Sequence, residues 1–579
     1  MHSITQSSLR VSSLPTAASI SILETLALLD GPYAGVGTGV AQGSYAFWLG
    51  SGISRDRVIG LDGVLAKLLE FLRERVTASA ACGYRAAFDK IIAMAAPSDD
   101  ERAEINLAVP VTNWPCIENL LKRLWKQYSA VLSVEMPGER LDHLLWVGLN
   151  FPNTFACQPA DAEHLAIAML ALEGTVTEFA SANWDGLIEA AMRELGYDET
   201  FYRITVTGAD LRNPAAAAIL YKFHGCALRA IDKEDEYRSL LVARSLQIAN
   251  WSVNDKFKIV RDQLGALVQT RRTLMIGLSA QDANIKHLFA AVNQHQGWQW
   301  TDAPTPIVIS AQELGDDHKD LLGLVYGEES YEAHRDEICE AARLQAYAKP
   351  LLIALLLKVL TAKLEVLAAD AHAPNLDGAA RAAIVEGIRT LRDRAADAGD
   401  GDRVGFARTI ASGLARARHQ LQNGTSAAGA QAYFPIDDQP AHLMQGKLAL
   451  KSTGQREAAV ALGLIGLDEA AAWTSSVDDP ADPRSGALRL TSPDTSARVF
   501  LAANDDTITS LLECSAFYES DDDAVVICSG RVAERQQRNP CGDWRDGSVG
   551  PRYLAFGPML CESADLDELR DRFRGEIGL

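Results

Sequence analysis

Residues 45–54 read YAFWLGSGIS, and GLDGVLAKLLEFLRERV follows at 60–76. The first five residues form a compact apolar run bounded by small residues, the pattern of a strand buried on both faces. The second stretch repeats its apolar positions at helical spacing. Strand, small-residue turn and helix in that order make the opening unit of a nucleotide-binding crossover. Two readings of Gly50, Ser51, Gly52 and Ser54 follow. Either their backbone amides face a diphosphate at a helix N-terminus, or the turn is a tight connection without a ligand.

Working outward, the sequence predicts further strands at 175–181 (TVTEFAS), 217–225 (AAILYKFHG), 272–280 (RTLMIGLSA) and 305–311 (TPIVISA). Helical patterns lie between most of them, as at 186–196 and 283–295. Such alternation indicates a mostly parallel, doubly wound sheet. Residues 84–175, including 116–132 and 162–174, are helical by pattern and form an insertion over that sheet. Before the first strand, 19–29 suggests a short amphipathic helix and 31–43 (GPYAGVGTGVAQG) a glycine-rich loop.

The expected fold class is therefore α/β. A Rossmann-like domain with its helical insertion spans 1–345, a helical region spans 346–422, a linker spans 423–440 and a small α+β domain spans 441–579. The helical region has one expected turn at 399–401, and its Ala/Leu stripe serves either oligomer contacts or intrachain packing. In the last domain, strand patterns at 486–492, 497–504, 523–530 and 552–558 carry no motif with readable chemistry.

Composition sets outer limits. A chain of 579 residues is too long for one core. Its formal charge of −21 and the lack of a basic stripe argue against direct nucleic-acid binding. Nine dispersed cysteines include no C-x-x-C pair, so no zinc or other metal site is expected and the thiols read as reduced. The apolar span from Pro350 is interrupted by Lys358, Lys363 and Glu365, too polar to cross a membrane. The stretch 1–13 lacks the basic region of a signal peptide. The expectation is a cytoplasmic protein.

Each expected strand ends in polar residues. FASANWDGLIE (179–189) delivers Asn183 and Asp185 to a strand end, as ligand contacts or as helix caps. His224, before Gly225, suits a general base or a proton acceptor from a sugar hydroxyl; the alternative is a structural histidine tied to backbone. Gly277 and Ser279 end a further strand, and Ser279 and Asp282 either hold ribose hydroxyls or cap the next helix.

In that order, the four strand ends GSGIS, SANWD, KFHG and GLSAQD resemble the sirtuin family, and more narrowly the sirtuin-like domains of bacterial antiphage defence proteins. Gly50, Gly52 and Ser54 match the family's GAG-x-S, Asn183 and Asp185 its N-x-D, His224 and Gly225 its HG, and Gly277 and Ser279 its G-x-S. The likeness covers roughly 45–311. The four-cysteine zinc module of the family's deacylases is missing, and Gly60-Leu61-Asp62-Gly63 stands in place of their G-I-P-D-F-R loop. Ser51 replaces the usual alanine, and Ser181-Ala182 the usual threonine.

The resemblance implies NAD as substrate, with Asn183 and His224 catalytic. It assigns Gly50, Ser51, Gly52 and Ser54 to the diphosphate, Asp185 to support of Asn183, Ser279 and Asp282 to the adenosine side, and Gly277 to the cofactor-binding set. It implies water as acceptor, giving nicotinamide and ADP-ribose, in an effector that depletes NAD during phage infection. Expected partners are further copies of the chain and an activator: a HerA-type ATPase, an Argonaute-like protein or a phage protein. Two alternatives remain: an NAD-dependent deacylase, disfavoured by the missing zinc module, and a non-catalytic NAD or ADP-ribose sensor.

Overall fold

In the computed structural model, described for residues 16–79, 82–212, 216–290, 297–426, 432–479, 481–533 and 550–578, the chain is α/β. Seven strands form one parallel sheet: β1 (Tyr45–Leu49), β2 (Glu178–Ser181), β3 (Tyr202–Thr205), β4 (Ala218–Lys222), β5 (Arg272–Ile276), β6 (Ile307–Ser310) and β7 (Arg343–Leu344). Their order is β3-β4-β2-β1-β5-β6-β7. All five residues of β1 are buried, which its unbroken apolar run requires of a central parallel strand. Phe47 meets Phe179 on β2 edge to face at 6.0 Å, while Trp48 meets Phe289 at 4.8 Å.

The chain leaves β1 towards β2 on one side, and it later crosses to β5 on the other side of β1. The crevice outside the carboxyl ends of β1 and β5 is thus the topological switch point, where open α/β sheets bind ligands. The insertion after β1 is helical, as expected, and includes one π-helical turn at Leu144–Gly148.

Three differences from the sequence reading have physical causes. The stretch 31–43 holds a helix, Ala34–Ala41. A Cβ at Gly39 would lie 2.7 Å from the Tyr45 ring, and one at Gly37 3.4 Å from the Lys358 side chain. Those glycines admit close packing, and tertiary contact overrides their poor helix propensity. Strand β3 lies at the sheet edge and carries Arg203, and β7 spans two residues; neither offers an apolar run of the length that marks a strand.

Beyond β7 come the long helices Ala348–Ala369, Gly378–Gly399 and Arg403–Asn423. The first is mostly buried, and no helix of the described residues is long and apolar enough to cross a membrane. A second, mixed sheet has the order β12-β11-β10-β9-β8, built from Thr474–Ser476 (β8), Leu488–Thr491 (β9), Ser496–Ala502 (β10), Ala524–Cys528 (β11) and Arg552–Ala555 (β12). Strands β10, β11 and β12 run parallel, while β8 and β9 are antiparallel additions. Helices Gly378–Gly399 and Gln455–Leu467 touch backbone to backbone, since Gly387 lies against Gly463 and Gly466. The residues 1–13, 427–431 of the expected linker, 291–295 of an expected helix and Cys541 lie outside the described residues.

Within 432–440 the chain is packed in, with Tyr433 and Ile436 buried. Tyr433 donates to Glu173 Oε1 at 2.6 Å, and the Ile436 amide donates to the same oxygen at 3.1 Å. Lys363 Nζ lies 2.6 Å from Glu173 Oε2, with both side chains fully buried, and also donates to the Glu173 and Asp437 carbonyls. Lys363→Met alone strands the Glu173 carboxylate and should lower unfolding free energy by about 3–5 kcal/mol. The double variant with Glu173→Gln should regain part of that loss. Urea denaturation followed by tryptophan fluorescence measures both.

Candidate functional site

The turn after β1 and the loop after β5 close on each other. The Gly50 amide donates to the Ile276 carbonyl at 3.0 Å, and the Gly52 amide to the Gly277 carbonyl at 3.0 Å. A Cβ on Gly52 would lie 2.5 Å from Gly277 Cα, and one on Gly50 would overlap the Gly277 carbonyl oxygen. Gly277 itself has φ +65, and its own Cβ would fall 2.7 Å from Gly52 Cα. All three glycines are thus needed for loop-to-loop contact. The Ile53 and Ser54 amides donate to Gly50 and Ser51 carbonyls. Of the five amides from Gly50 to Ser54, Ser51 keeps the one with no internal acceptor among these bonds.

The loop after β2 docks onto that turn. The Asn183 side-chain amide donates through Nδ2 to the Gly50 carbonyl at 3.1 Å and to Ser54 Oγ at 3.2 Å. Ser54 in turn donates to Asp185 Oδ2 at 2.9 Å, and Asp185 Oδ1 accepts the Leu187 amide at 3.3 Å. Because both Nδ2 hydrogens are engaged, the amide cannot flip, and Oδ1 is offered as an acceptor with no partner among the described residues. Asp185 and Ser54 are buried and bonded to each other, so what they do here is hold Asn183. The Asn183 backbone amide is fixed as well, on Ser181 Oγ at 3.1 Å.

Beneath the loop lies a charge that the motif reading passed over. Lys222, the last residue of β4, is fully buried and donates to the Asp185 carbonyl. It pairs with Glu189 at 3.1 Å. Burial pulls the Lys222 ammonium down, but the Glu189 carboxylate outweighs it and holds the group above the usual lysine value. A lysine closing the apolar strand β4 and a glutamate on the apolar face of the helix after β2, Leu187–Glu194, were the available signals, since buried charges occur paired.

His224 follows two residues later. Its Nε2 lies 3.0 Å from Asp282 Oδ2, but out of line with the ring N–H, so that buried nitrogen makes no directed hydrogen bond. Strands β4 and β5 are three positions apart in the sheet, about 14 Å at normal strand spacing. The loops after them therefore lean over the ends of β2 and β1 to meet. Asp282 faces the imidazole. Burial raises its carboxyl, but His224 and the Asn284 amide more than offset that and hold it below the usual range. Ser279 is exposed at the loop tip, and the Leu278 carbonyl accepts from His318 Nε2 at 2.8 Å.

The helix Ala162–Leu172 runs behind this site with every residue buried. Its N-cap Asp161 pairs with Arg57 at 3.0 Å and Lys349 at 3.1 Å. The next two charged positions are buried neutral: burial pushes the Glu163 carboxyl up to about 8 and pulls the His164 imidazole down to about 4. Among the described residues no group of His, Cys, Asp and Glu is placed to hold a metal ion.

A family model described as a SIR2-like domain matches residues 177–322. That span contains Asn183, Asp185, His224, Gly277, Ser279 and Asp282, and a Sir2-type domain with NAD-related chemistry is what the match supports. No curated protein matches the chain. The first motif, 50–54, lies outside the match; the hydrogen bonds from Asn183 to Gly50 and Ser54 join it to the rest.

Gly277→Ala forces φ +65 on a residue with a Cβ and drives that atom into Gly52. It should cost more than the roughly 1–3 kcal/mol of backbone strain alone, read as a lowered melting temperature. Glu163 and His164 set opposite pH limits. The unfolded chain releases the Glu163 proton near 4.5, whereas the folded chain keeps it to about 8, so stability falls as pH rises across that window. The unfolded chain protonates His164 near 6.5 and the folded chain only near 4, so stability also falls as pH drops between them. Thermal melts from pH 4 to 9 should show a maximum between, and Glu163→Gln should remove the alkaline decline while leaving the acid one.

Proposed function

We propose that the chain is an NAD glycohydrolase. The observation that carries this reading is the fixed orientation of Asn183, whose carbonyl oxygen is the one unused group on a side chain otherwise locked to the turn at the switch point. An acceptor held there suits a ribose hydroxyl or an attacking water. Holding a reactant in position can supply several kcal/mol of a barrier.

The chemistry needs little else. The bond between the nicotinamide nitrogen and the ribose anomeric carbon breaks, its electron pair leaves with neutral nicotinamide, and oxocarbenium character develops at the carbon. Water adds there and yields its proton to the His224 imidazole at Nδ1, the ring nitrogen turned away from Asp282, giving ADP-ribose. The Asp282 carboxylate, 3.0 Å from Nε2, faces the charge that the imidazole then carries. The deacylase reading lacks comparable support, since Asn183 and His224 serve water as readily as an acyl group and no zinc module accompanies them.

NAD loss of this kind would be held in check until needed. The proposal therefore extends to a defence effector released by assembly of further copies or by an activator: a HerA-type ATPase, an Argonaute-like protein or a phage protein. The regions after residue 345 are the surfaces available for such contacts.

Purified full-length chain, with and without each candidate activator and with and without an acylated peptide, should convert NAD to nicotinamide and ADP-ribose, identified by mass. His224→Ala should slow turnover by roughly 10²–10⁴-fold, and Asn183→Ala should abolish it. Acyl-ADP-ribose formed only with peptide would overturn the hydrolase reading. So would an Asn183→Ala variant as active as wild type.

A further inference from the structure

The turn that receives Asn183 is gripped from outside the matched domain. Lys349, one residue into the helix Ala348–Ala369, reaches Asp56 and lies 3.1 Å from Asp161 Oδ2. Arg57 closes the same cluster at 3.0 Å from Asp161. Asp56 and Arg57 belong to the turn itself: the Arg57 and Val58 amides donate to the Ser54 carbonyl at 3.1 and 2.8 Å. Ser54 is the residue that accepts from Asn183 and donates to Asp185.

The same helix is fixed again further along. Lys363 pairs with Glu173 and donates to the Asp437 carbonyl, and Glu173 also holds Tyr433 and the Ile436 amide. Asp161 and Glu173 are the N-cap and C-cap of one helix, Ala162–Leu172. The two helices therefore run parallel and are bolted at both ends, by Lys349–Asp161 and Lys363–Glu173. The bolts are separated by about 21 Å along the longer helix. One end carries the turn after β1, and the other carries 433–437, the segment leading to the second sheet.

We infer that Lys349 is a positioning residue for the turn Ser51–Val58, and that the doubly bolted helix pair makes the geometry of this turn depend on the docking of residues 433–437. Two carboxylates, Asp56 and Asp161, hold the Lys349 ammonium. Without it, Asp56 loses its partner, and of the two cations tying this end of the turn to Asp161 only Arg57 remains. The inference uses the proposed function only for its kinetic consequence; the positional statement concerns the protein alone.

Hydrogen exchange on the full-length protein, without NAD, decides it. In Lys349→Met the amides of Ser54, Arg57 and Val58 should exchange about tenfold faster while β1 and β5 keep their protection. Lys349→Arg, which retains the charge, should restore the wild-type rates. The far-end double variant Lys363→Met/Glu173→Gln should accelerate the same three amides. Unchanged exchange at these amides in Lys349→Met, or acceleration spread equally over β1 and β5, would overturn the positioning role. Unchanged rates in the far-end variant would overturn the dependence on 433–437.

In an NAD-consuming preparation, Lys349→Met should raise KM about tenfold with kcat nearly unchanged. A wild-type protein that consumes no NAD but shows the exchange pattern would remove the hydrolase reading and leave this one standing.

Discussion

Everything at the switch point depends on one close approach, Gly52 against Gly277. Two loops leaving β1 and β5 in opposite directions would ordinarily be held apart by side chains. Here the absence of three Cβ atoms lets backbone meet backbone, with the Gly50 and Gly52 amides donating to Ile276 and Gly277. That contact fixes the Gly50 carbonyl, which accepts from Asn183, and the start of the turn carrying Ser54. The glycines thus serve the site chiefly by building its floor. Their amides are mostly committed, so a phosphate at this turn would find the Ser51 amide and little more.

Two buried ion pairs hold the rest in register, and both act on backbone as well as on charge. Lys222 pairs with Glu189 and also bonds the Asp185 carbonyl; Lys363 pairs with Glu173 and also bonds two carbonyls. Such pairs contribute little net stability once desolvation is counted, but breaking one is costly. Their value here is geometric. Each ammonium gathers chain segments far apart in sequence, and a misplaced segment would leave a charge without a partner in a dry interior. The same dry interior accounts for Glu163, where burial outweighs the attraction of Lys349 and the carboxyl stays protonated well past its ordinary range.

What was legible in the sequence follows from length and polarity. Strands β1, β2, β4, β5 and β6 are apolar runs ending in polar residues, so both the sheet and its ligand-facing edge could be read directly. Asn183 and His224 stood at two of those ends. The helix Ala34–Ala41 could not be read, because its glycines are justified by packing that includes Pro304 and Lys358, which are distant in sequence. The contact of His224 with Asp282 was equally hidden, since it spans three strand positions and depends on how two loops lean. Lys349 was hidden for a further reason: the boundary at 345 follows the end of the strand pattern, whereas the ion pairs cross it.

The charge around the site bears on how a dinucleotide would be held. The chain carries a formal −21, and of the cations on and against the turn Arg57 and Lys349 are already matched by Asp56 and Asp161, while Arg55 is exposed on the turn. A diphosphate arriving there would meet little positive field beyond the exposed Arg55, and charges at the rim are screened further in physiological salt. Affinity would then come from directed bonds: the Ser51 amide, the Asn183 carbonyl oxygen and the uncommitted face of His224. Directed bonds are sensitive to angle in a way that a diffuse field is not. A small displacement of the turn, which Lys349 and Arg57 resist, would therefore matter more in this site than it would in one built on basic residues.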